Sequence, residues 1–352
     1  MEHLAPIIGR TLDSVSSSDD NVIPFRAPRT IYDLVELFGE EESHHNPDAV
    51  LPLSQLRMTP EENIAVPELG EFAFNDWSRK QLSSLLGLRW DRWFENAAPE
   101  ERADEMNRRL MRAKDEVKIR TTTDIGADVR ADGTLRGLVS PGFTPIEDTK
   151  VASLVVASMK NIDGEMKIIR ADRTNRTTSF VVAIGKAYRV GGEGQVGDVW
   201  GGLLVRNSGV GYASLLMVAH LVRLMCKNGM ICPIGDSELL RRRHRGLDES
   251  KMRWMLSDNL QQLPGRLRHA GEVLQLSVER QVADVEATVR GVLTQGNLPL
   301  RMLEPIMEAY GREPMPTAFG VSQAITRAAQ RFSPEERLEL EQAAGGYLRR
   351  LS

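Results

Sequence analysis

The residues of this chain best equipped for chemistry are its cations. Lys160, Lys167, Arg170, Arg173, Arg176, Lys186 and Arg189 crowd a stretch with few acids. Arg206 follows, then Arg223 and Lys227 ahead of an Asn-Gly pair, then Arg241, Arg242, Arg243 and Arg245 around His244. Basic side chains on strands, with Tyr188, Trp200 and Tyr212 nearby, are the materials of a groove that tracks phosphates and stacks bases. The same arginines on a solvated face, or paired with acids of neighbouring helices, would contribute little to binding.

Covalent and cofactor chemistry has less to work with. The chain contains no GxxxxGK[ST] loop, so no P-loop nucleotide site is expected. GGEGQVG at 191–197 lies between two strand-like segments and reads as a hairpin tip, not as a dinucleotide fingerprint. His44 and His45 have no partner at helical spacing, His220 reads as a buried histidine of an apolar run, and His244 as part of a cationic turn. Glu40, Glu42 and Asp172 show no apolar surroundings that would raise a carboxyl pKa. Cys226 and Cys232 make neither a disulfide framework nor a zinc site and suit a reducing cytoplasm. No catalytic residue, metal or cofactor is therefore expected.

Charge is unevenly spread. The 352 residues carry a net charge of −4, yet residues 1–118 hold 23 acids against 14 bases, and the remainder 26 against 31. An acidic front and a basic back suit an anionic partner for the back, with the front as its competitor. No run of 18 apolar residues and no secretory leader is visible, so a membrane span or an exported form is not expected.

The elements that must position these residues follow from periodicity and turn signals. Residues 1–70, dense in proline and acids, read as a largely disordered tail with one short helix at 30–38, where Ile31, Leu34, Val35 and Phe38 share a face. Residues 71–118 read as a helical layer, Pro99-Glu100-Glu101 suiting a first turn. Residues 119–235 read as strand, strand, helix, three strands, and then an apolar helix over 212–228 that covers the sheet. There Ser208 or Gly211 would stand near the cap, Gly229 would terminate the helix, and Arg223 and Lys227 would share one edge. Residues 236–352 read as helical, broken at Pro264, with Ser333-Pro334-Glu335-Glu336 opening the last helix. The fold class is α+β: an antiparallel sheet covered by an apolar helix, between a helical N-terminal layer and a helical C-terminal region.

Four segments in order, SPGFTPIEDTKV (140–151), GGLLVRNSGVGYASLLMVAHLVRLMCKNGM (201–230), RRRHRG (241–246) and PTAFGVSQAITRAAQRF with LEQAAGGYL (316–348), resemble the phage/plasmid-like family, a domain of unknown function. FNDWSRKQLSSLLGL is similar to that family's opening, so the resemblance spans about residues 72–350, apart from the long acidic front and the NSGVG turn. The expected order of strands and helix is also similar, in topology alone, to single-strand annealing proteins of the Redβ/RecT/Rad type. That second resemblance implies an ATP-independent protein that binds and anneals single-stranded DNA, with no enzymatic activity. It would act as a homo-oligomeric ring or filament in a phage or plasmid recombination system. The alternative is a structural or host-interaction protein of a mobile element that binds an acidic protein partner.

Overall fold

Hairpin signals at 116–142 and 164–210 set the architecture. The computed structural model describes residues 30–88, 96–123, 131–159, 166–190, 197–223, 230–232, 238–246 and 249–351. Helix α1 (Ile31–Glu42) opens with a reciprocal cap between Thr30 and Asp33 and buries Ile31, Leu34 and Phe38, the face read from the sequence. Four short strands follow: β1 (Ala49–Pro52), β2 (Arg57–Met58), β3 (Asn63–Val66) and β4 (Gly70–Phe74). The disordered-tail expectation thus fails from Thr30 onwards, while residues 1–29 lie outside the described set. Proline density misled because Pro47, Pro52, Pro60 and Pro67 sit at ends or turns of short strands, where the ladder does not need their N–H.

Helices α2 (Asp76–Leu85) and α3 (Pro99–Arg112) form the expected layer. Asn75 caps α2, and Asn107 of α3 brackets the Met58 backbone with bonds of 2.8 and 2.9 Å. They cover a six-stranded sheet of order β1-β5-β6-β4-β3-β2, in which β5 (Glu116–Thr122) and β6 (Gly133–Val139) are both interior strands. Every pairing in it is antiparallel except β4 with β6, which is parallel. Leu82, Met106 and Leu110 of the helices meet Ile64, Phe72, Ile119 and Leu135 of the sheet in one apolar core.

A second sheet, antiparallel throughout, runs β11-β10-β9-β8-β7, with β12 also pairing β10. Its strands are β7 (Met166–Arg173), β8 (Thr178–Val190), β9 (Gly197–Asn207), β10 (Leu215–Arg223), β11 (Met230–Cys232) and β12 (Glu238–Arg242). The apolar stretch read as a helix is therefore strand β10. Leu215, Met217, Ala219 and Leu221 enter the main core, and Leu216 and Val218 enter a smaller one on the opposite face with Leu204 and Leu338. A strand buried on both faces loses its two-residue alternation, so periodicity cannot tell it from a buried helix.

The covering helices come from elsewhere. They are α4 (Asp148–Met159) from the chain before the sheet, and α5 (Glu249–Gln261) and α6 (Leu263–Glu279) from the chain after it. Gly201 of β9 lets α6 approach, since a Cβ there would lie 2.6 Å from Leu267. Beyond them α7 (Val285–Gln295), α8 (Leu303–Arg312), α9 (Ala318–Ala329) and α10 (Pro334–Arg349) complete the helical C-terminal region. Helix α9 is its axis, buried along nearly its whole length, and α10 opens at Ser333 with Pro334 in its first turn. The fold is α+β.

Candidate site: an arginine-rich cleft between the sheets

The NSGVGY turn at 207–212 joins β9 to β10 and ties the two sheets together. From the first sheet and its helices, Arg120 donates to the Gly209 carbonyl, while Trp77 Nε1 and Gln81 Nε2 both donate to the Val210 carbonyl at 3.1 Å. From the second sheet, Ser208 donates to the Arg176 carbonyl at 2.7 Å and accepts from the Tyr212 amide at 2.9 Å. Asn207 donates to Ile146 O and Asp148 Oδ1, at 2.8 and 2.7 Å. Gly209 leaves room for this: a Cβ there would lie 3.0 Å from Arg120 Nη1, and Gly211 takes a left-handed φ of +78°.

Between the sheets this turn borders a cleft of about 360 Å³, lined also by His45, Thr134, Arg136, Asp148 and residues 173–178 of the β7–β8 turn. Its charges are strongly coupled. Buried Arg120 binds Asp48 at 2.9 Å and Glu147, and Arg173 pairs with Glu41. Burial pushes Glu147 up, but His45, 3.5 Å away, and the charges of Arg120 and Arg136 outweigh it and hold its pKa at about 2. Burial raises Asp148 despite bonds from Asn207 and Thr178, and burial raises Glu42 to about 7, with Glu147 and Asp148 adding repulsion. The expectation that Glu42 lacked surroundings able to raise its pKa is corrected, since they come from α4, over 100 residues away in sequence. Burial and then Arg120 lower Arg136 to about 10. Among the described residues the Arg136 guanidinium forms no hydrogen bond or ion pair.

A strip of cations continues outward from the cleft. Arg176 stands over the exposed Tyr212 ring at 5.6 Å, and Trp77 meets the same ring edge-on at 5.0 Å. Arg206 of β9 and Arg241 of β12 flank Leu216 on one face of the second sheet. Burial and then Arg241 depress the Arg206 pKa, and its Nε has no partner. Arg241 pairs with exposed Glu238, while Arg242, Arg243 and Arg245 are exposed. His244 is buried, stacked on Phe143 at 5.1 Å, and its pKa falls to about 4 through that burial.

The expected site residues divide accordingly. Arg176 stands over Tyr212, Arg206 and Arg241 share one face of the second sheet, Arg242, Arg243 and Arg245 are exposed, and Lys167 of β7 is partly buried and engaged with a partner. Arg170 is corrected: it is buried and bonded to both oxygens of Glu341, at 2.6 and 3.0 Å, with Asp172 at 3.0 Å. Arg173 is corrected too, because it is buried against Glu41. Lys186, Arg189 and Arg223 lie on strands, but their side chains, like Lys160 and Lys227 altogether, fall outside the described residues. The helix edge proposed for Arg223 and Lys227 does not exist, since Arg223 ends a strand. Sequence reading missed Arg120, Arg136, His45, Glu147 and Asp148, which no motif joins and which meet only when α1, β5, β6 and α4 assemble.

Among the described residues, no helix is long and apolar enough to cross a membrane, and no group of three or more His, Cys, Asp or Glu is placed to hold a metal ion. Neither a family model, nor a curated protein, nor a solved structure matches the chain.

Proposed function

We propose that the protein binds single-stranded DNA along the strip from Arg176 past Tyr212 and Arg206 to Arg241–Arg245. The observation that carries this reading is the Arg176 guanidinium stacked over the exposed Tyr212 ring, with Arg206 close enough to feel the charge of the same tyrosine. Arginines beside a ring suit a strand whose phosphates are contacted while a base stacks, a mode that tolerates any sequence. The acidic front is not a mobile competitor as a whole. Residues 1–29 hold only four acids and three bases, and the other acids up to residue 118 belong chiefly to folded elements.

Filter binding of a labelled unphosphorylated oligonucleotide across a salt series tests the reading. Expected is binding at low salt that weakens linearly on a logarithmic salt axis, with a slope of about −0.7 per phosphate contacted. Tyr212→Ala should cost about 1–3 kcal/mol of affinity, the worth of one stacked base. No binding at low salt, no slope, or an unaffected Tyr212→Ala variant would sink it. Strand annealing, assembly into rings or filaments and membership of the phage/plasmid-like family extend the same proposal. Micrographs with and without single strands test the assembly.

A further inference from the structure

The strip accounts for the outer cations but not for the cleft behind them. Its volume of about 360 Å³ lies at the small end of ligand pockets. The ion pairs around it are internally matched: Arg120 with Asp48 and Glu147, and Arg173 with Glu41. Among the described residues, Arg136 takes part in no such pair and lines the cavity, and Arg176, the inner end of the strip, lines it too. The acid facing them, Asp148, already accepts from Thr178 and Asn207, both at 2.7 Å. Asn175 and Thr134 add an amide and a hydroxyl to the walls. A cavity with two guanidiniums in no direct ion pair, neutral donors, and two carboxyls, Glu41 and Asp148, that are both already engaged suits a compact dianion better than a cation or an apolar ligand.

We infer that the cleft binds a phosphomonoester, held by Arg136 together with Arg176, supplied either by a free mononucleotide or by the terminal phosphate of a nucleic-acid strand. This goes beyond the strand-binding reading and does not depend on it, because Arg136 has no place on the outer strip and an unphosphorylated strand needs no such group.

Isothermal titration of the full chain provides the test, with four probes in two pairs. Adenosine monophosphate is compared with adenosine, and a 5′-phosphorylated oligonucleotide with its 5′-hydroxyl counterpart. Expected is at least about tenfold preference for the phosphorylated member, the worth of one charge-assisted bond. A preference in the first pair identifies a mononucleotide, and a preference in the second pair alone identifies a strand end. Arg136→Gln should abolish the preference. Arg136→Lys, which keeps the charge that folding needs but loses the planar fork, should retain a reduced one. Arg290→Gln, on the exposed face of α7, should leave it unchanged. Equal affinities within both pairs, or a full preference in Arg136→Lys and Arg136→Gln alike, would overturn the inference. A failure confined to these pairs leaves the binding of unphosphorylated strands standing, so the two readings fail separately.

Discussion

Arg170 of the second sheet and Arg243, just past the end of its strand β12, look alike in sequence and do opposite things. Arg170 sits inside the protein against Glu341 and Asp172, with Arg337 reaching the same aspartate at 3.2 Å. Arg243 stands in solvent. Around the first, every charge is matched, and its removal would strand a buried carboxylate. Around the second, nothing is lost to the fold if the charge goes. A cation's contribution to stability and its availability to a partner are thus inversely related here, and burial of the counter-charge decides which one applies.

The largest expected effect comes from breaking the matched set. Arg170→Met should destabilise by about 3–5 kcal/mol in urea unfolding, because Glu341 is fully buried and left uncompensated. Adding Glu341→Leu should restore much of that loss, and neither change should alter strand affinity per folded molecule. Next, Arg242, Arg243 and Arg245 changed together to Gln should leave the unfolding free energy within about 0.5 kcal/mol. The salt slope of strand binding should then become shallower by about 2, at roughly 0.7 for each lost contact. An unchanged slope would move those arginines off the binding track.

Acidity separates the regions further. Burial holds His220 at a pKa of about 3 against an ordinary 6.5, so the unfolded chain takes up a proton that the folded chain refuses. The stability this leaves intact above 6.5 is lost as pH falls towards 3. Glu42 has the opposite sign: its folded pKa of about 7 exceeds the ordinary 4.5, so its contribution, complete below 4.5, is lost as pH rises through 7. Urea midpoints over this range should show a shallower acid limb in His220→Leu, the remainder coming from His244 and Glu147, and a shallower fall above 6 in Glu42→Gln. The smallest effect is expected from Trp77→Phe, about 1 kcal/mol for the lost bond to Val210 O.

The hairpin strands β5 to β9 were legible because glycine-rich turns bound them closely and β-branched residues recur in them. Strand β10 was not, since apolar cover on both sides erased its alternation. The short strands at 49–74 were hidden because proline and acid density is a composition, whereas edge strands are built by pairing with a partner far along the chain. For the site, Arg176, Arg206 and the 241–245 run stood out as local clusters of one charge. Arg136 did not, because its importance rests on having no partner, and lacking a partner is a property of the assembled fold. Arg170 misled for the converse reason: its partner is 171 residues away.

The parallel pairing of β4 with β6 has a consequence for synthesis. Beyond the local pairing with β3, strand β4 finds its second partner only at Gly133, Thr134 and Leu135. The outer run β4-β3-β2 therefore remains an open edge until some sixty further residues have left the ribosome. Closing so long a loop delays completion of this sheet. A nascent chain halted before residue 133 would display that unpaired edge to its neighbours.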